Sequence, residues 1–334
     1  MKIAIHFSEH GFSRQWIGYC EEKKIDYKIV DCYRNDIISQ LSDCDALMWH
    51  IEQSDVRDIL FAKQLLFSVK ASGKRVFPDF DTSWHFDDKV GQKYLLEAIQ
   101  APLVPTYVFY ERNDALAWAD KAKFPKVFKL RSGAGSANVK LIRSKRTARR
   151  VINKAFGRGF SGYDRIGGFR EKIRKFFLGK ESLWQVLRSC AMLFFVPRYC
   201  RVSGRECGYI YFQDFVPNNT FDVRVIVIGS RAFAIKRMVR KNDFRASGSG
   251  EILYEKKHFN DETIRLAFKI SEKLGSQCMA YDFVYHNGQP LVIEISYGFV
   301  KKGYDPCTGY WDKDLAWHEG SFNPQGWMVE EILK

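Results

Sequence analysis

The side chains best placed to do chemistry lie in one short segment running from Met279 to Ser296, Met-Ala-Tyr-Asp-Phe-Val-Tyr-His-Asn-Gly-Gln-Pro-Leu-Val-Ile-Glu-Ile-Ser. Two apolar runs flank His286-Asn287-Gly288-Gln289, and Asn-Gly between such runs predicts a hairpin. Asp282 falls early in the first strand. Glu294 and Ser296, two residues apart in the second, point to one face. Strands that bury aliphatic side chains have little reason to turn carboxylates inward unless a cation holds them there. Hard oxygen donors suit Mg²⁺, which is held by one or two carboxylates together with substrate phosphates. The segment therefore reads as Mg-nucleotide chemistry, against the plainer alternative of a hairpin with acids on its wet face.

Three further segments could serve a polyanion. Arg131-Ser132-Gly133-Ala134-Gly135-Ser136 is a small-residue loop whose glycines admit close backbone approach and whose amides could form an anion nest. Lys129 stands on the strand before it. The loop lacks the Lys-Ser/Thr pair of a Walker A sequence, and taken alone it reads more simply as a hairpin loop. Asp214 ends the run Phe212-Gln-Asp, and Asp222 and Arg224 share one face of the next strand. That pair is compatible with ribose and phosphate contacts, or with a surface ion pair worth little. Arg245, in the polar loop 240–250, could stabilise developing negative charge or simply belong to a basic turn. No Ser-His-Asp or Cys-His arrangement stands out.

These residues need a framework, and the pattern supplies one. Strands at Lys2–Phe7, Tyr27–Asp31 and Ala46–His50 alternate with helices near Phe12–Lys23 and Val56–Ser72, which argues for a small parallel α/β sheet. No Gly-x-Gly-x-x-Gly follows the first strand, so no dinucleotide site is expected there. A helix over Asp87–Ala98 precedes strands at Val104–Tyr110 and Lys126–Leu130. From Tyr209 the chain turns strand-rich (Tyr209–Phe215, Asp222–Ile228, Arg231–Val239), then a helix over Asp261–Leu274 leads into the acidic hairpin. At 334 residues, two or three subdomains are expected. Apolar residues make up 46% and charged ones 28%, ordinary for a soluble globular protein. No run is long and apolar enough to span a membrane. Eight scattered cysteines without a metal-ligand pair read as reduced thiols in a cytoplasmic protein.

The order of these parts carries more than any one of them. A lysine strand with a glycine loop, an acidic hinge, an Asp-x-Arg strand, a Phe-Arg loop, then Asp and Glu-x-Ser resembles the ATP-grasp superfamily. It is most similar to the carboxylate–amine ligase branch, which includes the glutathione synthetases and the enzyme adding glutamates to a ribosomal protein. The resemblance runs roughly from Phe77 to Phe299. It implies an α/β (α+β) ATP-grasp fold with a small Rossmann-like N-terminal domain over 1–84, a central α+β lid domain over 85–208, and a C-terminal antiparallel-sheet domain over 209–334. It implies ATP and Mg²⁺ as cofactors, with Mn²⁺ able to substitute. Residue by residue, Lys89 and Lys129 become phosphate ligands, with Gly133, Ala134, Gly135 and Ser136 as the covering loop. Asp214, Phe215 and Val216 become the adenine hinge, and Asp222 a nucleotide contact. Arg245, in Asp243-Phe244-Arg245, becomes the residue on the γ-phosphate and the transferred phosphoryl group, with Ser247 beside it. Asp282, Glu294 and Ser296 become the metal ligands. The family usually has Asn at the positions of Ser296 and Ser247 and Glu at that of Asp214, so the second metal position is weakened. The implied reaction runs through an acyl phosphate that an amine then displaces, on small-molecule carboxylate and amine substrates. A phosphotransferase on the same fold and a nucleotide-binding regulator with little turnover are the alternatives.

The net charge of +14 implies an acidic partner. From Lys140 to Lys180 basic residues face only Asp164 and Glu171, and the stretch from about 156 to 205 has no match in the shorter ligases. A basic amphipathic segment could lie on an anionic membrane surface at the inner face, hold a glycan or lipid-linked sugar acid, or pack as a helical hairpin with a solvated face. Nucleic acid is not favoured, because no recognition motif accompanies the charge. The tail around Trp311, Trp317 and His318 resembles ATP-grasp proteins of bacterial surface-polysaccharide clusters. That likeness implies a sugar-acid acceptor, against the reading that these aromatics close the C-terminal core.

Overall fold

Four short apolar strands at the start of the chain form a parallel sheet because each is followed by a helix that carries the chain back. They are β1 (Ile3–His6), β2 (Tyr27–Val30), β3 (Ala46–Met48) and β4 (Arg75–Phe77). The order is β2-β1-β3-β4, with every pairing parallel. The crossovers are α1 (Ser13–Lys23), α2 (Ile37–Gln40) and α3 (Lys63–Ala71), the last entered through a π-helical turn at Asp58–Ala62. A short α4 (Phe80–Ser83) follows, its N-cap Asp79 accepting from the Thr82 amide.

This computed structural model describes residues 1–133, 138–162, 204–239, 244–246 and 251–334, with 169, 172–173, 176–177, 179, 182–191 and 202 between them. The chain divides into two units. The first comprises Met1–Phe86, Tyr94–Leu103 and Asn218–Lys334; the second comprises Asp87–Lys93 and Val104–Pro217. Helix α5 (Lys89–Ala98) begins in the second and ends in the first.

In the second unit, β5 (Thr106–Phe109), α6 (Arg112–Lys121), β6 (Lys126–Lys129), β7 (Lys140–Ile142) and α7 (Lys145–Ala155) come first. A two-strand ribbon of β8 (Phe160–Ser161) and β9 (Arg205–Glu206) brackets α8 (Leu183–Ala191), and β10 (Ile210–Asp214) closes the unit. The sheet order is β5-β10-β6-β7, antiparallel at every contact. Phe128 and Phe212 turn one face onto Ala115 and Ala119 of α6 and Ala148 and Ile152 of α7. The division of the sequence at 209 assigned β10 to the C-terminal part. Its register partners, Phe109 to Thr106 and Lys129 to Lys126, instead make it a central strand of this sheet. Periodicity could not reveal this, since an apolar strand fits either sheet until its partners are known.

The rest of the first unit is antiparallel: β11 (Phe221–Ile228), β12 (Arg231–Met238), β13 (Ile252–Leu253), α9 (Asp261–Leu274), β14 (Cys278–His286), β15 (Gln289–Ser296), β16 (Gly309–Asp312), β17 (Trp317–Glu319) and α10 (Pro324–Leu333). The order is β15-β14-β11-β12-β16-β17, with β13 beside β12. Asn287 and Gly288 sit at φ 51° and 81°, the positive values a two-residue hairpin turn needs. Val223, Val225, Tyr281, Phe283 and Ile295 share one cluster with Ile264, Ala267 and Ile270 of α9, and each such burial contributes about 1.5–3 kcal/mol. On the opposite face, Ile226, Ile228, Phe233, Cys278 and Ala280 pack with Trp327 and Met328 of α10. That face is apolar at one end only. The seven cysteines described are all free. Among the described residues no helix is long and apolar enough to cross a membrane.

His50, just past β3, is half-buried, with its Nδ1 out of reach of water and its ring 4.1 Å from that of Phe12, and this desolvation pushes its pKa down to about 4. In the unfolded chain the imidazole titrates near 6.5. As pH falls between these values the unfolded state takes up the proton first, so stability is full above about 6.5 and drops by up to about 3 kcal/mol as pH approaches 4. Denaturant midpoints measured from pH 7 to pH 4 should fall less steeply for His50→Gln than for the wild type; parallel curves would remove His50 as the cause.

Candidate functional site

In the first unit the charged end of the antiparallel sheet is built by cross-strand register. Asp222 of β11 lies opposite Arg237 of β12, and Arg224 of β11 lies opposite Asp282 of β14. Both pairs are two-point: Arg237 Nε and Nη2 each stand 2.7 Å from Asp222, and Arg224 Nη2 stands 2.6 Å from Asp282 Oδ2 with Nε on Oδ1. Arg237 also reaches Asp282 Oδ1 at 3.0 Å, so the four side chains form one network. Asp222, Arg237 and Asp282 are under 9% exposed. This is not the surface pair that the sequence allowed. Burial by itself would push the Asp282 carboxyl up, but Arg224 and Arg237 overturn that and hold it well below the usual carboxylate range. Arg224 stays charged despite burial because Asp282 and the Tyr304 hydroxyl face it.

Asp282 lies directly across from Glu294 on β15, and Ala280 across from Ser296. Opposite residues of an antiparallel pair share a face, so Asp282, Glu294 and Ser296 stand on one side of adjacent strands. The register slips just beyond Asp282, where Phe283 meets Val292. Such a bulge re-aims side chains and is common beside functional sites. The Ser296 hydroxyl donates to the Gly298 carbonyl at 3.0 Å, which uses its hydrogen and leaves its oxygen able to act as an acceptor. Among the described residues no group of three or more His, Cys, Asp or Glu is arranged to hold a metal by protein alone. Two carboxylates and a hydroxyl are instead a donor set for a hard cation that arrives with other oxygen ligands.

In the second unit two of the predicted phosphate residues, Lys89 and Gly133, meet at the first turn of α5. Asp88 Oδ1 caps that helix, accepting from the Val90 and Gly91 amides at 3.1 and 2.9 Å. Lys89 Nζ donates to the Gly133 carbonyl at 2.7 Å, and the Gly133 amide donates to Asp87 at 2.7 Å. Lys89 is therefore held at the leading end of the glycine-rich loop. Lys129 is buried on the sheet face opposite the aromatic core. It donates to Gln213 Oε1 at 2.8 Å, and Gln213 in turn donates to Thr106 at 3.1 Å. The Arg131 and Ser132 amides, which an anion nest would use, already donate to Glu206 at 3.0 and 3.3 Å. The hydroxyls of Ser132 and Tyr209 join them. Burial, and then the Glu206 charge, push the Tyr209 phenol up, so it remains a donor. Ala134, Gly135 and Ser136 lie outside the described residues.

Asp214 ends β10 in register with Lys126, whose ammonium meets its carboxylate, and the Asp214 amide donates to the Pro105 carbonyl at 2.8 Å. Phe215 and Val216 follow outside the sheet. Arg245 is half-buried, its guanidinium 6.0 Å from the Phe244 ring; Asp243 and Ser247 lie outside the described residues. In the tail, Trp311 is core, whereas His318 stacks on Tyr310 at 4.8 Å and holds Asp312 at 2.8 Å. Sequence reasoning missed Arg237, Gln213 and Glu206. Arg237 had one legible sign, a charge at an inward position of the alternating strand Arg231–Met238.

The network makes removal of Arg237 costly, because Asp222 and Asp282 would face each other without it. Arg237→Met should destabilise the fold by about 3–5 kcal/mol in urea unfolding at pH 7; a loss below about 1 kcal/mol would mean that the carboxylates are solvated rather than buried.

Comparison with known proteins adds the following. Residues 205–306 match the model of a family described as the RimK-like ATP-grasp domain. None of the curated proteins compared with the chain matches it in sequence. Among solved structures, a RimK domain protein ATP-grasp from Sphaerobacter thermophilus is similar with a TM-score of 0.57 at 13% identity, covering 100% of both chains. D-alanine–D-alanine ligase from Bacillus anthracis, in a structure complexed with ATP, has a TM-score of 0.55 at 13% identity, covering 100% of this chain and 97% of that one. The ATP-grasp ligase PsnB, complexed with minimal precursor, Mg and ADP, has a TM-score of 0.55 at 12% identity, covering 99% and 98%. At such identities the likeness is one of fold. The resemblance read from the motif order is thus borne out: the chain has the ATP-grasp fold, and residues 205–306 match the RimK-like ATP-grasp domain.

Proposed function

We propose that the chain is an ATP- and Mg²⁺-dependent carboxylate–amine ligase that forms an amide through an acyl phosphate. The observation that carries this reading is the register pairing of Asp282 with Glu294, with Ser296 on the same face, inside the segment that matches the RimK-like ATP-grasp domain. The donor set fits Mg²⁺ brought by a nucleotide, and two structures of the same fold carry ATP, or Mg and ADP. Asp282, Glu294 and Ser296 would hold the ion, which would neutralise phosphate charge. Asp222 serves that end of the site indirectly, since its carboxylate grips Arg237.

Lys89 and Lys129 supply fixed positive charge to the phosphates. Lys89 donates to the Gly133 carbonyl and Lys129 to the Gln213 amide oxygen, and a hydrogen bond from an ammonium to a phosphate is stronger than one to a neutral oxygen. Gly133, and with it Ala134, Gly135 and Ser136, would cover the phosphates. Asp214, Phe215 and Val216 would line adenine through their backbone. Arg245, with Ser247 near it, would meet the γ-phosphate. Phosphoryl transfer needs positioning and charge more than a covalent nucleophile. The substrate carboxylate oxygen attacks the γ-phosphorus and ADP leaves. The amine nitrogen then attacks the acyl carbon, loses a proton and expels inorganic phosphate.

For the carboxylate we propose a sugar acid, free or lipid-linked, of surface-polysaccharide synthesis. The stacked Tyr310 and His318, with Asp312 behind, offer a ring face and a hydrogen-bonding edge. For the basic insert we propose peripheral contact with anionic membrane, because α8 exposes Leu183, Trp184 and Leu187 on one side. Ser296 and Ser247, where the family has Asn, favour as second reading a nucleotide-binding protein with little turnover.

Screening with Mg-ATP against sugar acids and amines should give ADP and phosphate only when both acceptors are present, and hydroxylamine should trap the acyl phosphate. Glu294→Gln should abolish that turnover; unchanged activity would refute its role. Phosphate retained on the product would mark a phosphotransferase, and nucleotide binding without hydrolysis a regulator. Vesicles rich in phosphatidylserine should bind the protein at low salt and lose it when residues 163–203 are deleted. Equal binding by the deleted form would end the membrane proposal.

A further inference from the structure

Both ends of the glycine-rich loop are tied to one piece of backbone, the β8–β9 ribbon from which the basic insert departs. At the leading end, Glu206 of β9 accepts from the amides of Arg131 (3.0 Å) and Ser132 (3.3 Å) and from the hydroxyls of Ser132 and Tyr209. At the returning end, the Asn138 side-chain amide donates to the carbonyls of Ser161 (3.3 Å) and Gly162 (3.0 Å), in and just after β8. The ribbon is itself well seated. Arg205 donates to the carbonyls of Arg158 (2.6 Å) and Gly159 (2.9 Å). Gly159, at φ +65°, lies so close to the other strand that a Cβ there would sit 2.6 Å from the Glu206 carbonyl oxygen. Phe160 is buried with its ring 4.9 Å from that of Phe128, which fixes the ribbon to β6.

The fold does not by itself call for an acid at 206. β8 and β9 pair through their backbones, which any residue permits. What the Glu206 carboxylate adds is four donors gathered onto one charge, and hydrogen bonds to a charged group are about twice as strong as neutral ones. Those donors lie on Arg131, Ser132 and Tyr209. The next residue, Gly133, presents the carbonyl that holds Lys89 Nζ, and the Arg131 carbonyl accepts from the Lys89 amide at 2.9 Å. The backbone that Glu206 pins is the backbone that aims Lys89.

We propose that Glu206 and Asn138 are positioning residues for the phosphates of a nucleoside triphosphate. Glu206 fixes Arg131–Gly133, and through the Gly133 carbonyl it sets the Lys89 ammonium. Asn138 fixes the point where the chain returns to β7. Neither touches the nucleotide. The proposal rests on the nucleotide-binding reading above and deepens it: these residues discriminate by phosphate count, aiding di- and triphosphates and leaving adenosine and AMP unaffected. It also ties the basic insert's point of attachment to the phosphate end of the site.

Calorimetric titration of the full chain with Mg-AMP-PNP and, separately, with AMP tests this. Glu206→Ala should weaken AMP-PNP by about tenfold or more and leave AMP within about twofold, with Glu206→Gln, which keeps one carbonyl acceptor, in between. Asn138→Gly should show the same phosphate-selective loss. Glycine keeps the left-handed backbone that Asn138 adopts at φ +59°, so this variant tests the idea even if Glu206→Ala fails to fold. No AMP-PNP binding by the wild type would sink the nucleotide reading itself. With wild-type binding in hand, equal losses for both ligands, no loss in either variant, or tighter AMP-PNP binding by Glu206→Ala would overturn the positioning role; the last would make Glu206 an internal competitor.

Discussion

Everything at the acidic end of the antiparallel sheet depends on two arginines, Arg237 buried and Arg224 half-buried, being matched by two buried carboxylates. Removing a charged side chain from water costs several kcal/mol unless a partner and hydrogen bonds offset it. The sheet meets that demand by register. Asp222 faces Arg237 and Arg224 faces Asp282 across neighbouring strands, and Arg237 joins the pairs by reaching Asp282 at 3.0 Å. A one-residue slip of β11 against either neighbour would send one set of charges to the α9 side, among Tyr281, Phe283 and Val225. The network therefore selects the register as well as the site. Its further effect is to keep Asp282 ionised and held in place next to Glu294, which the proposed cation site requires.

The second unit solves the opposite problem with the same means. A glycine-rich segment offers bare amides to a polyanion, but its leading end also needs fixing. Here the amides of Arg131, Ser132 and Gly133 are spent on Glu206 and Asp87, so this stretch of backbone is frame rather than nest. On the proposed nucleotide reading, phosphate charge is then met by side-chain cations, and Lys89 and Lys129 are both buried in this unit, donating to the Gly133 carbonyl and to the Gln213 amide oxygen.

Much of this was legible in the sequence, and what was not has a physical reason. The Asn287-Gly288 turn fixes the hairpin, and the hairpin fixes which residue faces Glu294. The Asp261–Leu274 helix declares both ends, with Asn260 capping it and Gly275 at positive φ closing it. Local rules suffice in both cases. They fail where the answer lies in a distant partner. Nothing within Arg231–Met238 says that Arg237 belongs to Asp222, and nothing near Glu206 says that it serves residues some seventy positions earlier. Trp311 was ambiguous for the same reason, since an aromatic beside a turn can stack on a ligand or close a core until its neighbours, here Phe259 and Trp317, are known.

The positive charge of the chain is the feature that sequence and structure weigh most differently. Five residues of the basic run after Lys140 (Lys145, Arg146, Arg149, Arg150 and Lys154) lie on α7, whose Ala148, Ile152 and Ala155 are buried while its basic residues line the outer face. Lys145 and Arg149 of that face reach Asp120 of α6 at 2.9 and 2.8 Å. That charge is the solvated side of a packed amphipathic helix and requires no partner. The apolar exposure lies elsewhere, on α8, where Trp184 is 72% exposed beside Leu183 and Leu187 and the only cation of the helix is Arg188. Adsorption to an anionic bilayer needs apolar insertion and positive charge presented together. Neither helix supplies both, so a membrane role for α8 would have to draw on charge from outside these two helices, and composition alone is a poor guide to where a basic protein presents its charge.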